Sequence, residues 1–290
     1  MEYLIHIAIL VAIFVTLTIS LDLLAGHGGL VSLAHAAFYC LGAYTSALLA
    51  TRSGVPFLVG VVAGISVSVL IAFIVSLPSL QLRDDYFVIA TFGFQMILFS
   101  VFNNWMELTR GPLGIPGIPQ PVIFGWHVDS HLEFLALAAA FACFAYFAVY
   151  RITSSPFGRV LHAIREDEVF VSAHGKNALY CKITVFAVSA ALAAMAGSLY
   201  AHYITYIDPT SFTVMESILI ISMVIIGGAG STWGPLVGAV MLVTLPEALR
   251  FVGLPSAVAA NLRQIFYGSL LVFMMMFRPR GLVGKYGFSK

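Results

Sequence analysis

Charge is scarce in this chain: Asp, Glu, Lys and Arg make up 9% of its 290 residues, against 60% hydrophobic residues. Soluble domains carry about 25% charged residues, so the composition excludes a water-soluble fold and requires a membrane protein. The net charge of +1 says nothing for or against a polyanionic partner, and nucleic acid is not an expected one. Cysteine is equally sparse. Cys40, Cys143 and Cys181 lack paired or metal-ligand spacing and are expected to be small buried hydrophobes.

Catalytic signatures are missing too. The chain has no G-x-x-x-x-G-K-[ST], H-E-x-x-H or G-x-S-x-G and no Cys/His cluster, so it cannot hydrolyse ATP by itself. No carboxylate pair at i, i+3 or i+4 falls within an apolar run, which argues against a proton relay or a self-coupled secondary carrier. A membrane enzyme would show clustered Asp, His or Glu at a membrane face. Asp84 and Asp85 beside Arg83 come nearest, and they are expected to form a turn before "YFVIATFGF".

What fills the chain is apolar runs of spanning length, since a bilayer core of ~30 Å takes about 20 residues of helix. They fall at about Leu4–Leu24, Leu33–Ala50, Pro56–Leu77, Tyr86–Phe102, Leu132–Tyr150, Ile183–Tyr203, Val214–Gly228, Pro235–Leu249 and Leu262–Phe277. The expected fold is all-α: one polytopic membrane domain over 1–290, with about 8–10 spans. The opening "MEYLIHIAIL" lacks a basic n-region and runs on past signal length, so it is expected to be the first span.

Two Gly-rich stretches interrupt the runs, "LLAGHGGLVSLAHAAFYCLGAY" and "IIGGAGSTWGPLVGAV", with breaks expected at Gly26, Gly28, Gly29, Gly227, Gly228 and Gly230. Paired helix breaks at membrane depth occur in repeat-built transporters. Short loops between tightly packed small-residue helices are the alternative. If the loop 151–182 faces the cytoplasm, alternation puts ten of the 14 Lys and Arg inside and leaves Arg52, Arg110, Arg250 and Arg263 outside. The segment 103–132, with "RGPLGIPGIPQP", is then an external, ordered, non-helical lid able to receive a partner.

Polar groups inside the runs are few. Ser32, Gln95, Asn103, Asn104, Ser217 and Ser222 suit a pathway for a small zwitterionic or amide solute, because uncharged groups avoid the cost of burying charge. His35 is expected to be a hydrogen-bonded core residue, and Glu216 an acid placed at a helix start.

The exception to all this is "SPFGRVLHAIREDEVFVSAHGKN", Ser155–Asn177. Ser154, Ser155 and Pro156 open a helix expected to run from Phe157 to near Ala173, where Gly175 stops it. Val160, Leu161 and Ile164 lie to one side, with Arg159, His162 and Glu166 towards another. This stretch, with "FAVSAALAAMAGSLYAHYITYIDPTSF" after it, resembles the coupling segment and next helix of the M-type permeases of branched-chain amino acid ABC transporters. "LDLLAGHGGLVSLAHAAFYCLGAYTSALL", "LQLRDDYFVIATFGF", "NNWMELTRGPLGIPGIP", "GGAGSTWGPLVGA" and "FRPRGL" match in the same order.

The resemblance implies a permease that pairs with a homologous H-type permease, two cytoplasmic ATPases carrying ATP and Mg, and an external solute-binding protein. This chain itself would hold no cofactor. Its setting would be membrane lipid, in the cytoplasmic membrane of a bacterium or archaeon. Arg159, Arg165, Glu166, Asp167, Glu168, Ala173 and Gly175 would form the coupling surface, with Phe170 and Val171 replacing the small pair usual in E-x-A-A-x-A-x-G. Urea, short amides and other amino acids are alternative cargoes of the same machinery. An autonomous channel or secondary carrier is the more distant alternative.

Overall fold

The structure is a computed structural model that describes residues 2–80, 84–123, 125–128, 130–250, 268–269, 272–274, 276–278 and 281–284. Helix α1 (Glu2–Asp22) runs without interruption into a wider π turn, Leu23–His27. It is followed by α2 (His35–Ser53), α3 (Phe57–Ser79), α4 (Asp84–Asn104), a short α5 (Met106–Thr109) and α6 (His131–Ser154). Then come α7 (Pro156–Glu166), α8 (Glu168–Ala173), α9 (Ala178–Ile204), α10 (Val214–Gly227) and α11 (Gly234–Arg250).

Eight of the nine apolar runs are therefore helices, and six helical stretches among the described residues are long and apolar enough to cross a membrane. The ninth run, Leu262–Phe277, lies largely outside the described residues, as do Arg83, Arg263, Arg280, Lys285 and Lys290. Helix α10 is short. At 1.5 Å per residue its 14 residues reach about 21 Å, and only together with the 3-10 turn Pro209–Phe212 does it make one of the six spanning stretches.

Helices α1, α2 and α9 form the centre, and α1 is buried on every side from Val15 to Gly28. Helices α3, α4 and α6 turn outward faces bearing Leu70, Ile74, Ile89, Ile97, Phe144 and Phe147, as a hydrocarbon surround requires. Cys40 and Cys181 are buried as expected, whereas Cys143 is exposed on the outer face of α6. A thiol there is still a small apolar group against lipid.

Small residues bring α2 and α9 into backbone contact. A Cβ on Gly42 would overlap the Ala194 carbonyl, one on Gly197 would overlap the Tyr39 carbonyl, and Ser198 donates to the Gly42 carbonyl at 3.1 Å. Gly42→Val is expected to lower the thermal unfolding temperature in detergent by several degrees, because overpacking costs about 1–3 kcal/mol. Gly93→Val, where a Cβ meets nothing within 4 Å, should leave it unchanged.

The two ends of the bundle differ. At one, His6 Nδ1 bonds Tyr203 Oη at 2.5 Å, so the start of α1 lies beside the end of α9. The described residues between 105 and 130 cover this end: β1 (Ile115–Pro116) pairs with β4 (Tyr206–Ile207), and β2 (Val122–Ile123) with β3 (Trp126–His127). Arg52 donates to the Glu107 and Leu108 carbonyls at 2.7 and 3.0 Å, strapping the α2–α3 turn to the lid. Contrary to expectation, the segment is not non-helical throughout: α5 and a 3-10 turn, Gly111–Leu113, lie inside it. Helices α7 and α8 lie at the opposite end.

Candidate coupling site at the helix breaks

The charged stretch folds as two helices rather than the single one expected. Ser155 caps α7, accepting from Gly158 N at 3.3 Å, and Pro156 occupies the first turn. Asp167 then takes an extended conformation and its Oδ1 accepts from Phe170 N at 2.9 Å, so it ends α7 and starts α8. A short acceptor side chain competes with the helix for backbone amides, and here it wins. Gly175 (φ 75°) closes α8 in the left-handed conformation, as expected.

Leu161 and Ile164 are buried, and Arg159, Glu166, Asp167, Ala173 and Gly175 are exposed. Arg165 departs from a solvent-facing role: its guanidinium donates to the Gly26 carbonyl in the first helix break. His162 also turns inward, with Nε2 3.2 Å from His27 Nδ1. Glu168 accepts from Lys182 Nζ at 2.7 Å, tying α8 to the buried start of α9. A polar cleft of about 110 Å³ lies among Gly28, Gly29, Arg165, Glu166, Glu168 and Lys182.

Both Gly-rich stretches leave the helical path, over 28–34 and 228–233, and they meet. Asp22 Oδ1 accepts from Gly230 N at 2.7 Å, and its Oδ2 lies 3.5 Å from His27 Nε2. Gly26 is required at this contact, since a Cβ would overlap both Asp22 Oδ1 and the Gly230 amide. Gly29 (φ 72°) lies against the Arg165 stem. In the second break, the free carbonyls ending α10 are taken by the distant C-terminal segment: Leu282 N donates to Ile226 O at 2.9 Å and Val283 N to Gly227 O at 3.0 Å. Gly227 lies where the Gly234 carbonyl leaves no room for a side chain, and Gly228 takes a φ of 110°, which favours glycine.

The junction therefore joins α1, α7, α10 and the C-terminal segment through Asp22, Arg165 and bare backbone. Asp22, His27 and Lys182 stand in no sequence motif that would assign them a role. Their partners are 135, 14 and 208 residues away, for His27, Lys182 and Asp22 respectively. No local spacing signals such pairs.

The six polar residues expected along a pathway are engaged with the chain's own backbone or stand at its surface. Ser32 Oγ accepts from Ala34 N at 3.2 Å and Ser217 Oγ from Ala36 N at 3.0 Å, so both hold the start of α2. Gln95 Nε2 donates to Phe212 O at 2.7 Å, and Ser222 Oγ to Ile218 O at 2.7 Å. Asn104 is exposed and bonds Ser100 O at 2.8 Å, beside half-buried Asn103. His35 is the buried, bonded residue expected, with Nε2 2.7 Å from Ser20 Oγ, and Glu216 stands in the first turn of α10.

Residues 3–275 match the family model described as branched-chain amino acid transport system / permease component. The chain is 33% identical to the high-affinity branched-chain amino acid transport system permease protein LivM of Salmonella typhimurium, over 96% of this chain and 69% of the relative. It is 28% identical to the probable LivM permease of Methanocaldococcus jannaschii, over 71% of this chain and 62% of that one. It is 25% identical to the permease LivH of Salmonella typhimurium, over 94% of this chain and 91% of the relative. No solved structure matches the chain.

Proposed function

Because this chain belongs to the family of branched-chain amino acid transport system permease components, we propose that it builds half of the translocation pathway of an ATP-driven importer for an apolar amino acid. An H-type permease supplies the other half. Two cytoplasmic ATPases hold ATP and Mg, and an external binding protein delivers solute to the lid in the cytoplasmic membrane of a bacterium or archaeon. The likeness of this one chain to both LivM and LivH supports a pair of related permeases.

The observation that carries the reading beyond the family is the inward wiring of the charged stretch. Its exposed side offers Val169 (79% exposed) and Phe170 (59% exposed) beside Arg159, Glu166 and Asp167, while Arg165 and Glu168 hold the chain's own interior. An apolar pair rimmed by charge is the composition of a docking surface. Movement imposed on α7 and α8 reaches Gly26 through Arg165, and Gly230 through Asp22.

Affinity purification of the tagged chain from its native membrane in mild detergent tests this reading. The expected result is recovery of a second permease and two ATPase subunits by mass spectrometry. Recovery of the chain alone, or as a homo-oligomer, would overturn it in favour of an autonomous channel or carrier.

A further inference from the structure

Under the lid, the rings of Tyr39, Tyr44 and Tyr200 gather round Phe212, with centroids 5.1, 6.1 and 6.1 Å from it. Tyr39 and Tyr44 are 1% exposed, and neither hydroxyl has a hydrogen-bond partner among the described residues. Gln95 gives its amide N–H to Phe212 O, yet its buried Oε1 is also unpaired. A buried polar group left without a partner costs about 1–3 kcal/mol, and native interiors keep few of them. Three about one phenylalanine, two on tyrosines beside its ring and one on the amide bonded to its carbonyl, ask for a polar partner that comes and goes. The half-buried Glu216 stands at the same place, within electrostatic reach of Tyr39 and Tyr200.

These groups have the chemistry of a zwitterion with an apolar body. Tyrosine O–H groups donate to a carboxylate, whereas the Gln95 amide oxygen and the Glu216 carboxylate accept from an ammonium. Aromatic faces favour the same cation and also an aliphatic side chain. We infer that Tyr39, Tyr44, Gln95 and Glu216 form a substrate-contact station for an apolar amino acid, packed shut in this structure and opened when the helices under the lid move apart. The inference rests on the importer reading and adds to it a place inside the permease where the solute is held.

Removing a hydroxyl that has no partner separates a structural role from a contact role. Tyr39→Phe combined with Tyr44→Phe should leave the thermal unfolding temperature of the purified permease unchanged or raise it. In vesicles holding the complete importer, uptake of radiolabelled L-leucine should fall at least tenfold. Glu216→Gln, which keeps shape and loses charge, should lower it similarly. Uptake equal to the unaltered protein in both variants would overturn the station alone. Vesicles of the unaltered importer that take up no L-leucine on adding ATP would instead overturn the importer reading for this solute, and the station with it.

Discussion

Asp22→Ala is expected to reduce ATP-driven solute uptake in reconstituted vesicles at least tenfold, and Asp22→Asn to reduce it much less. The reason is the bond from Gly230 N to Asp22 Oδ1, which at 2.7 Å is the described link between the two helix breaks. Alanine leaves a buried amide unpaired at a cost of about 1–3 kcal/mol, where each 1.4 kcal/mol is about tenfold in a population. Asparagine keeps an acceptor oxygen in the same place and loses only the charge beside His27 and Arg165. Gly26→Ala should copy the alanine phenotype by another route, since its Cβ would displace the same carboxylate oxygen and the same amide. Uptake that survives both Asp22→Ala and Gly26→Ala would show that the breaks do not move together.

Why the junction escaped the sequence is a matter of which forces act locally. Apolar length marks a span because the bilayer imposes it on each segment separately, so α1, α3, α4, α6 and α9 were legible within a few residues. Gly29, Gly228 and Gly230 take the positive φ that a glycine's freedom allows, whereas Gly26 stays in the π turn and Gly227 in α10. What each break touches is set by tertiary packing: Asp22 reaches across 208 residues, and Leu282 and Val283 close carbonyls on α10. The charged stretch was legible as an amphipathic helix from Leu161 and Ile164. Its division at Asp167 was missed because an acidic residue among Arg165, Glu166 and Glu168 looks like surface charge until its oxygen is seen to cap α8. The resemblance put Arg165 on the coupling surface, but amphipathic spacing gives no hint that it faces Gly26 rather than a partner.

That inward orientation separates docking from transmission, and two substitutions should tell them apart. Phe170→Glu places a charge on an exposed ring and touches no hydrogen bond within the chain that involves its side chain. If α8 docks on a soluble subunit, the expected result is loss of that subunit on purification, with the permease itself folded as before. Arg165→Ala does the reverse. It removes the donor to the Gly26 carbonyl and leaves Val169, Phe170, Arg159 and Glu166 in place. The ATPase subunits should still co-purify, while stimulation of ATP hydrolysis by solute-loaded binding protein should fall to the unstimulated rate. Charge-assisted bonds of this kind contribute about 1.5–3 kcal/mol, enough to uncouple a helix from its neighbour by one to two orders of magnitude in population. Normal stimulation in Arg165→Ala would mean that force enters the bundle elsewhere. Two described routes then remain, the His162–His27 contact and the Glu168–Lys182 pair into α9, and Lys182→Met would be expected to lose stimulation if the second carries the force.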